Sequence, residues 1–201
     1  NANEVQKVSQ TAASICDGRG ARRVAQRVSA PIARDQKQIS IQPVTMLDGE
    51  IILQWQSDPQ IRQYARHNEA PTETEHRDWM LNRTSDPNCL LNMIFHGLDP
   101  AGIVRLDKMK SDIADNCFEI SIFVCREKQK LGLGQAALDL AHDLVPECTM
   151  IAEILKGNEV SRNLFGRAGY KENSHGTFVH QPLRLANLEL QTCCESRSRN
   201  Q

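Results

Sequence analysis

No apolar run in this chain approaches the roughly 20 residues that cross a bilayer, and no signal-peptide pattern precedes the first strand-like segment. A soluble, cytoplasmic protein that does not act at a membrane is therefore expected. Charge of one sign is also lacking: 24 Lys and Arg stand against 25 Asp and Glu, for a formal net charge of -1. Without a basic face there is no footprint for nucleic acid. The cysteines (Cys16, Cys89, Cys117, Cys125, Cys148, Cys193, Cys194) are odd in number and lack metal-ligand spacing. That disfavours both a metal site and a disulfide framework, and points to buried thiols in a reducing compartment. What remains is small-molecule chemistry, on a chain of 201 residues that is long enough for one domain with a real core.

The first thirty residues read as a helix over 3–15, the turn Asp17-Gly18-Arg19-Gly20 and a second helix ending near Pro31, with no partner element nearby. They are expected to be the tail of an upstream portion of a longer polypeptide. A compact domain is expected over 39–183. It starts with a strand over 39–44 and a helix over 47–56 whose Ile51, Ile52 and Trp55 share a face. Thr72 with Glu75 three residues later forms a capping-box pattern for a helix through Trp79 to about residue 83. Strands over 90–95 and 102–108, joined by a turn containing Asp99-Pro100, and a third over 117–124 make an antiparallel meander. Leu133, Ala137, Leu140, Ala141 and Leu144 then recur at helical spacing up to Pro146, before a strand over 149–155. Asn158 heads a last helix stopped by Gly169, a final strand region covers 170–182, and 184–201 reads as a tail. The fold class expected is α/β (α+β): a mixed sheet, part meander and part β-α-β crossover, with helices on both faces.

The segment Val124-Cys125-Arg126-Glu127-Lys128-Gln129-Lys130-Leu131-Gly132-Leu133-Gly134-Gln135 follows a strand and opens an apolar helix. Glycines there permit close approach of the backbone, and the first turn of the helix presents unpaired N–H groups where its dipole favours negative charge. Such a loop cradles an anion of pyrophosphate size. No ribose-binding acid follows at Rossmann spacing, and no Lys-Ser/Thr follows the last glycine as in a P-loop.

Gln129-x-x-Gly132-x-Gly134 and Asn158-Glu-Val-Ser161-Arg-Asn-Leu164-Phe165-Gly-Arg-Ala-Gly169-Tyr170 resemble the two coenzyme motifs of the GCN5-related N-acetyltransferase (GNAT) family. The resemblance implies acetyl-CoA as cofactor, with Phe123 and Val124 along the pantetheine arm. It implies that Gln129, Lys130, Leu131, Gly132, Leu133, Gly134 and Gln135 wrap the pyrophosphate. Asn158 caps its helix, contacts the pantetheine, or does both. Glu119 and Ser121 share one side of their strand; the family often keeps an acid near the start of this strand, which makes Glu119 the candidate base against the reading of a solvated strand glutamate. Where the family often places a proton-donating Tyr, this chain has Phe165. That leaves Ser161, a water or no dedicated acid, with Phe165 in the core or along the pantetheine channel.

Trp55-Gln-Ser-Asp58-Pro59, Arg62, His76 and Trp79 resemble the acceptor side of family members that acetylate nucleotide-linked amino sugars, although Gln56 and Ser57 replace the usual Arg and Asn. Core packing is the other reading for His76 and Trp79. Cys16-Asp17-Gly18-Arg19-Gly20-Ala21-Arg22-Arg23-Val24 resembles the closing helix of UDP-sugar hydrolases of the pseudaminic acid pathway. Together these imply an N-acetyltransferase for the 4-amino group of a UDP-linked amino-dideoxy sugar, fused to an upstream hydrolase, with a homodimer compatible. The alternatives are a protein N-terminal acetyltransferase of the ribosomal type and a non-catalytic acyl-CoA-binding module.

Overall fold

Apolar Phe118, Ile120 and Ile122 alternate with Glu119, Ser121 and Phe123, and this period of two sorts the molecule into two packing layers. The computed structural model describes residues 30–111, 114–173 and 176–182; the helices expected before residue 30 and the tail from 184 lie outside the described residues. Among the described residues seven strands form one sheet: β1 (Ile39–Pro43), β2 (Cys89–His96), β3 (Asp99–Ser111), β4 (Ala114–Val124), β5 (Thr149–Glu153), β6 (Lys171–Glu172) and β7 (Thr177–His180). Their order is β1-β2-β3-β4-β5-β7-β6. β2 to β4 run as the expected antiparallel meander, β1 pairs antiparallel with β2, and β4 and β5 pair in parallel across a helical crossover.

That crossover helix, α4 (Leu133–Leu144), buries Ala136 and Leu138 as well as the five residues of the expected stripe. It lies across β1 to β4, so more than one stripe is covered. Phe118 and Ile120 point into the same core, together with Phe165 from α5 (Glu159–Arg167). On the opposite face α1 (Gly49–Gln56), followed by the short α2 (Pro59–Arg62), and α3 (Glu73–Ser85) lie on the sheet, and α1 and α3 enclose a smaller core around Ile52, Met80, Met93 and Ile103. Side chains buried this fully stabilise by roughly 1.5–3 kcal/mol each. The box heading α3 is formed: Glu75 Oε2 accepts from the Thr72 N–H at 2.8 Å, and the Glu75 N–H donates to Thr72 Oγ1 at 3.3 Å.

Three expectations need correction. The β2–β3 turn is Gly97-Leu98, while Asp99 and Pro100 already belong to β3. Pro100 sits opposite Phe95, where the register shifts, and a ladder irregularity is where a strand tolerates a residue without an N–H. The strand expected over 149–155 stops at Glu153. The last strand region is a hairpin, β6 and β7, with β7 inserted between β5 and β6.

Beneath α4 the buried Tyr170 gathers two half-buried histidines. His142 Nε2 is 2.8 Å from the Tyr170 hydroxyl, and the His142 ring stacks on His180 at 4.2 Å. Burial, with a small contribution from His180, pushes His142 down to about 4. Burial also lowers His180. The neutral ring is the folded form, so its contribution is complete above the unfolded value of 6.5 and is lost as pH falls from there toward about 4. Urea midpoints should therefore drop across that window by an amount worth up to about 3 kcal/mol. His142→Phe should flatten this dependence, and an unchanged slope in that variant would overturn the assignment.

Candidate active site

The parallel ladder between β4 and β5 is only three pairs long: Cys117 with Thr149, Phe118 with Met150, and Glu119 with Ile151. Beyond Glu119 the strands part, while β4 continues against β3 as far as Val124. The Cys125 N–H bonds the Ala101 carbonyl at 2.8 Å, so by alternation the N–H groups of Ile122 and Val124 face the gap, while that of Ile120 belongs to the last pair of the β4–β5 ladder. A linear ligand carrying amides finds a strand edge there.

The gap leads to the glycine loop. Gly132 caps α4 at φ 92°, a left-handed conformation in which a side chain is strained, and a Cβ there would meet nothing within 4 Å. The space above it is open. Gly134 has another task, since a Cβ there would sit 3.1 Å from Leu164 Cδ2: its absent side chain lets α4 pack on α5. Leu133 is buried and Leu131 packs against the same core, so both offer a ligand only their backbones. Gln129 Nε2 donates to the Val124 carbonyl at 3.2 Å, folding the side chain back on β4, and Gln135 Nε2 donates to Asp139 within α4 at 3.0 Å. Lys128 pairs with Asp99 at 3.0 Å, whereas Lys130 is exposed in a left-handed conformation at φ 63°. An amide-bearing arm ending in a pyrophosphate fits this sequence of an open strand edge, a close-approach glycine and a helix start, so the residues present suit coenzyme A.

Glu119, Ser121 and Phe123 do share a side, and they line a cavity of about 770 Å³ between the sheet and the α1–α3 layer. Glu119 Oε1 accepts from Arg66 Nη2, which also donates to Glu153 Oε2 at 2.6 Å. Ser161 and Phe165 line the same cavity. Asn158 Oδ1 caps α5 by accepting from the Ser161 N–H at 3.1 Å, and the Asn158 side of the helix borders the cavity too. Phe165 is buried, edge-on to Tyr170 at 4.9 Å.

Of the acceptor residues, Arg62 and Trp79 line the cavity, with Arg62 Nη2 donating to the Glu69 carbonyl. His76 borders it but is only 5% exposed, and its ring nitrogens contact the Gly49 carbonyl at 2.8 Å and Gln56 Oε1 at 3.0 Å. It ties α3 to α1. Trp55 packs edge-on against Phe123 at 6.0 Å in the smaller core.

Among the further residues that line the cavity are Tyr64, Arg66, Arg83 and Arg105. Arg83 Nη1 and Arg105 Nε lie 3.0 and 2.7 Å from the two oxygens of Asp107, two guanidinium groups around one carboxylate. Arg83 is four residues beyond Trp79 on α3, so the helical period points to it; Tyr64 and Arg66 carry no such signal in the sequence. Cys89 and Cys125 are buried, and burial pushes Cys89 up to about 12 and Cys125 up as well, so neither offers a nucleophilic thiolate. Among the described residues no group of three His, Cys, Asp or Glu is placed to hold a metal ion, and no helix is long and apolar enough to cross a membrane.

Residues 38–171 match the family model described as an acetyltransferase (GNAT) domain. No curated protein matches the sequence. Among solved structures, the aminoglycoside acetyltransferase AAC(6')-Ib in complex with ribostamycin and coenzyme A superposes with TM-score 0.63 at 14% identity, covering 73% of this chain and 94% of that one. Spermidine N-acetyltransferase from Vibrio cholerae in complex with CoA and spermine gives 0.60 at 14%, covering 70% and 91%. A domain from Methanocaldococcus jannaschii gives 0.59 at 21%, covering 71% and 96%. At these identities the likeness is one of fold.

Proposed function

Because this chain belongs to the GNAT acetyltransferase family, we propose that its acceptor is an amino sugar carried on a nucleoside diphosphate, acetylated at its 4-amino group. Membership makes the chain an acetyl-CoA-dependent acetyltransferase. Bound acetyl-CoA supplies an activated acetyl thioester.

The observation that carries the acceptor reading is the polarity of the cavity. Where α3 meets β3, Arg83 and Arg105 share the single carboxylate of Asp107, and the Glu75 carboxylate that also lines the cavity is held by Thr72, while the β5 end holds Glu119 and Glu153 around Arg66. A ligand that is anionic at one end and amine-bearing at the other matches that gradient. The guanidinium groups take the diphosphate through charge-assisted hydrogen bonds. The ring of Trp79 offers an apolar wall to the sugar or base. The amine then lies toward Glu119, which takes its proton directly or through one water. The Ile122 N–H group facing the gap is a donor for a carbonyl oxygen placed there, and Ser161 is the hydroxyl closest in role to an acid. The resemblance of residues 16–24 to the end of a UDP-sugar hydrolase supports the same acceptor and a cytoplasmic setting.

The test is thiol release from acetyl-CoA with UDP-4-amino sugars, ribosomal peptides and polyamines offered side by side. Turnover on the sugar is expected, with Arg83→Ala raising the KM for the UDP-sugar roughly tenfold, the loss of one charge-assisted contact. Turnover confined to peptides would replace this reading with protein modification. Coenzyme binding without turnover of any amine would leave a non-catalytic module.

A further inference from the structure

Arg66 lies in the segment between α2 and α3 yet reaches both parted strands. Its Nη2 donates to Glu119 Oε1 on β4, and its Nε and Nη2 donate to Glu153 Oε2 on β5 at 3.1 and 2.6 Å. Nearby, the Tyr64 hydroxyl donates to the Gly157 carbonyl at 3.3 Å, a second tie between that segment and the far side of the groove. Arg66 also stands between two spaces. The acceptor cavity of about 770 Å³ lies on one side; on the other, a cavity of about 960 Å³ runs past Met109, Glu159 and Thr177. Arg66, Glu119 and Glu153 border both. One guanidinium thus sits between two carboxylates at the junction of two compartments.

We infer that Arg66 is a specificity-determining residue: from the protein's own chain it fills the place where a second ammonium group of an acceptor would sit, and it bars the passage from one compartment to the other. Acceptors carrying one amine at the Glu119 end and an anion at the other are unaffected by the bar. Linear polyamines, which need the carboxylates and the length of both cavities, are excluded by it. Exclusion of this kind works by repulsion and occupied volume, not by better contacts to the favoured ligand. Removing the guanidinium leaves Glu119 and Glu153 facing each other across the gap, a charge arrangement that a flexible polycation neutralises.

The inference rests on the acetyl-transfer reading of the groove, and the test separates the two. Spermine binding is measured by calorimetry, and spermine acetylation by thiol release, for the full chain and for Arg66→Ala, Arg66→Gln and Arg66→Lys. Arg66→Ala and Arg66→Gln are expected to gain spermine affinity and turnover by about tenfold or more over the parent. Arg66→Lys, which keeps a cation between the carboxylates, is expected to stay near the parent, an outcome that a mere loosening of the segment would not produce. Equal gains in all three variants, or no gain in either neutral variant with melting temperature preserved, would overturn the role of Arg66. If no protein in the set acetylates any amine yet the neutral variants bind spermine, the acetyl-transfer reading fails and the inference stands.

Discussion

Gly132→Val is expected to raise the KM for acetyl-CoA at least about tenfold, equivalent to 1.4 kcal/mol or more, with kcat little changed. Two effects combine. At φ 92° a β-branched residue is strained, and its methyls would occupy space that the fold leaves open above the loop. Gly132→Asn separates them, because asparagine tolerates the left-handed conformation while its Cβ still projects into that space. It should keep the melting temperature near the parent value and still raise KM. Gly134→Val should behave in the opposite way. Its Cβ meets Leu164 at 3.1 Å, so the expected loss is in stability, by roughly 1–3 kcal/mol of overpacking, and Leu164→Ala should restore part of it. Equal KM effects at the two glycines would refute this division of labour.

Glu119→Gln is expected to lower kcat by roughly 10²–10⁴, the usual contribution of a general base, with the KM for acetyl-CoA unchanged. The side chain faces the cavity from the last residue of the β4–β5 ladder, beside the first backbone groups that the gap exposes. Residual activity of the variant should climb with pH as the acceptor amine deprotonates unaided. A kcat within threefold of the parent at neutral pH would show that Glu119 serves only to hold Arg66.

The parts of this molecule that were legible in its sequence are those whose causes are local. The Thr72–Glu75 box, the Asn158 cap and the alternation over Phe118–Phe123 each depend on residues within a few positions of one another, and each appears in the structure where expected. The turn at Gly97-Leu98 was misplaced onto Asp99-Pro100 because proline reads as a turn former, while the register shift that admits it into β3 belongs to the partner strand. Gly134 looked like a second close-approach glycine because its role depends on Leu164, thirty residues downstream. His76 was open to acceptor contact or core packing, and what decides its setting, the Gln56 and Gly49 oxygens that meet its ring nitrogens, lies on another helix. Arg66 was missed altogether: its partners are 53 and 87 residues away, and no period or motif connects them.

The three-pair ladder has a consequence for how coenzyme recognition is encoded. Pantetheine carries two amides along a narrow chain and so resembles an extra strand laid against the free edge of β4. In the proposed docking it would read main chain there, while the side chains of Ile122 and Val124 pack toward the core beneath α4. An alanine scan along this strand would report on folding and stay nearly silent on the cofactor. On this proposal the affinity would reside in where two strands separate, a property of the sheet's shape that no single side chain on β4 carries.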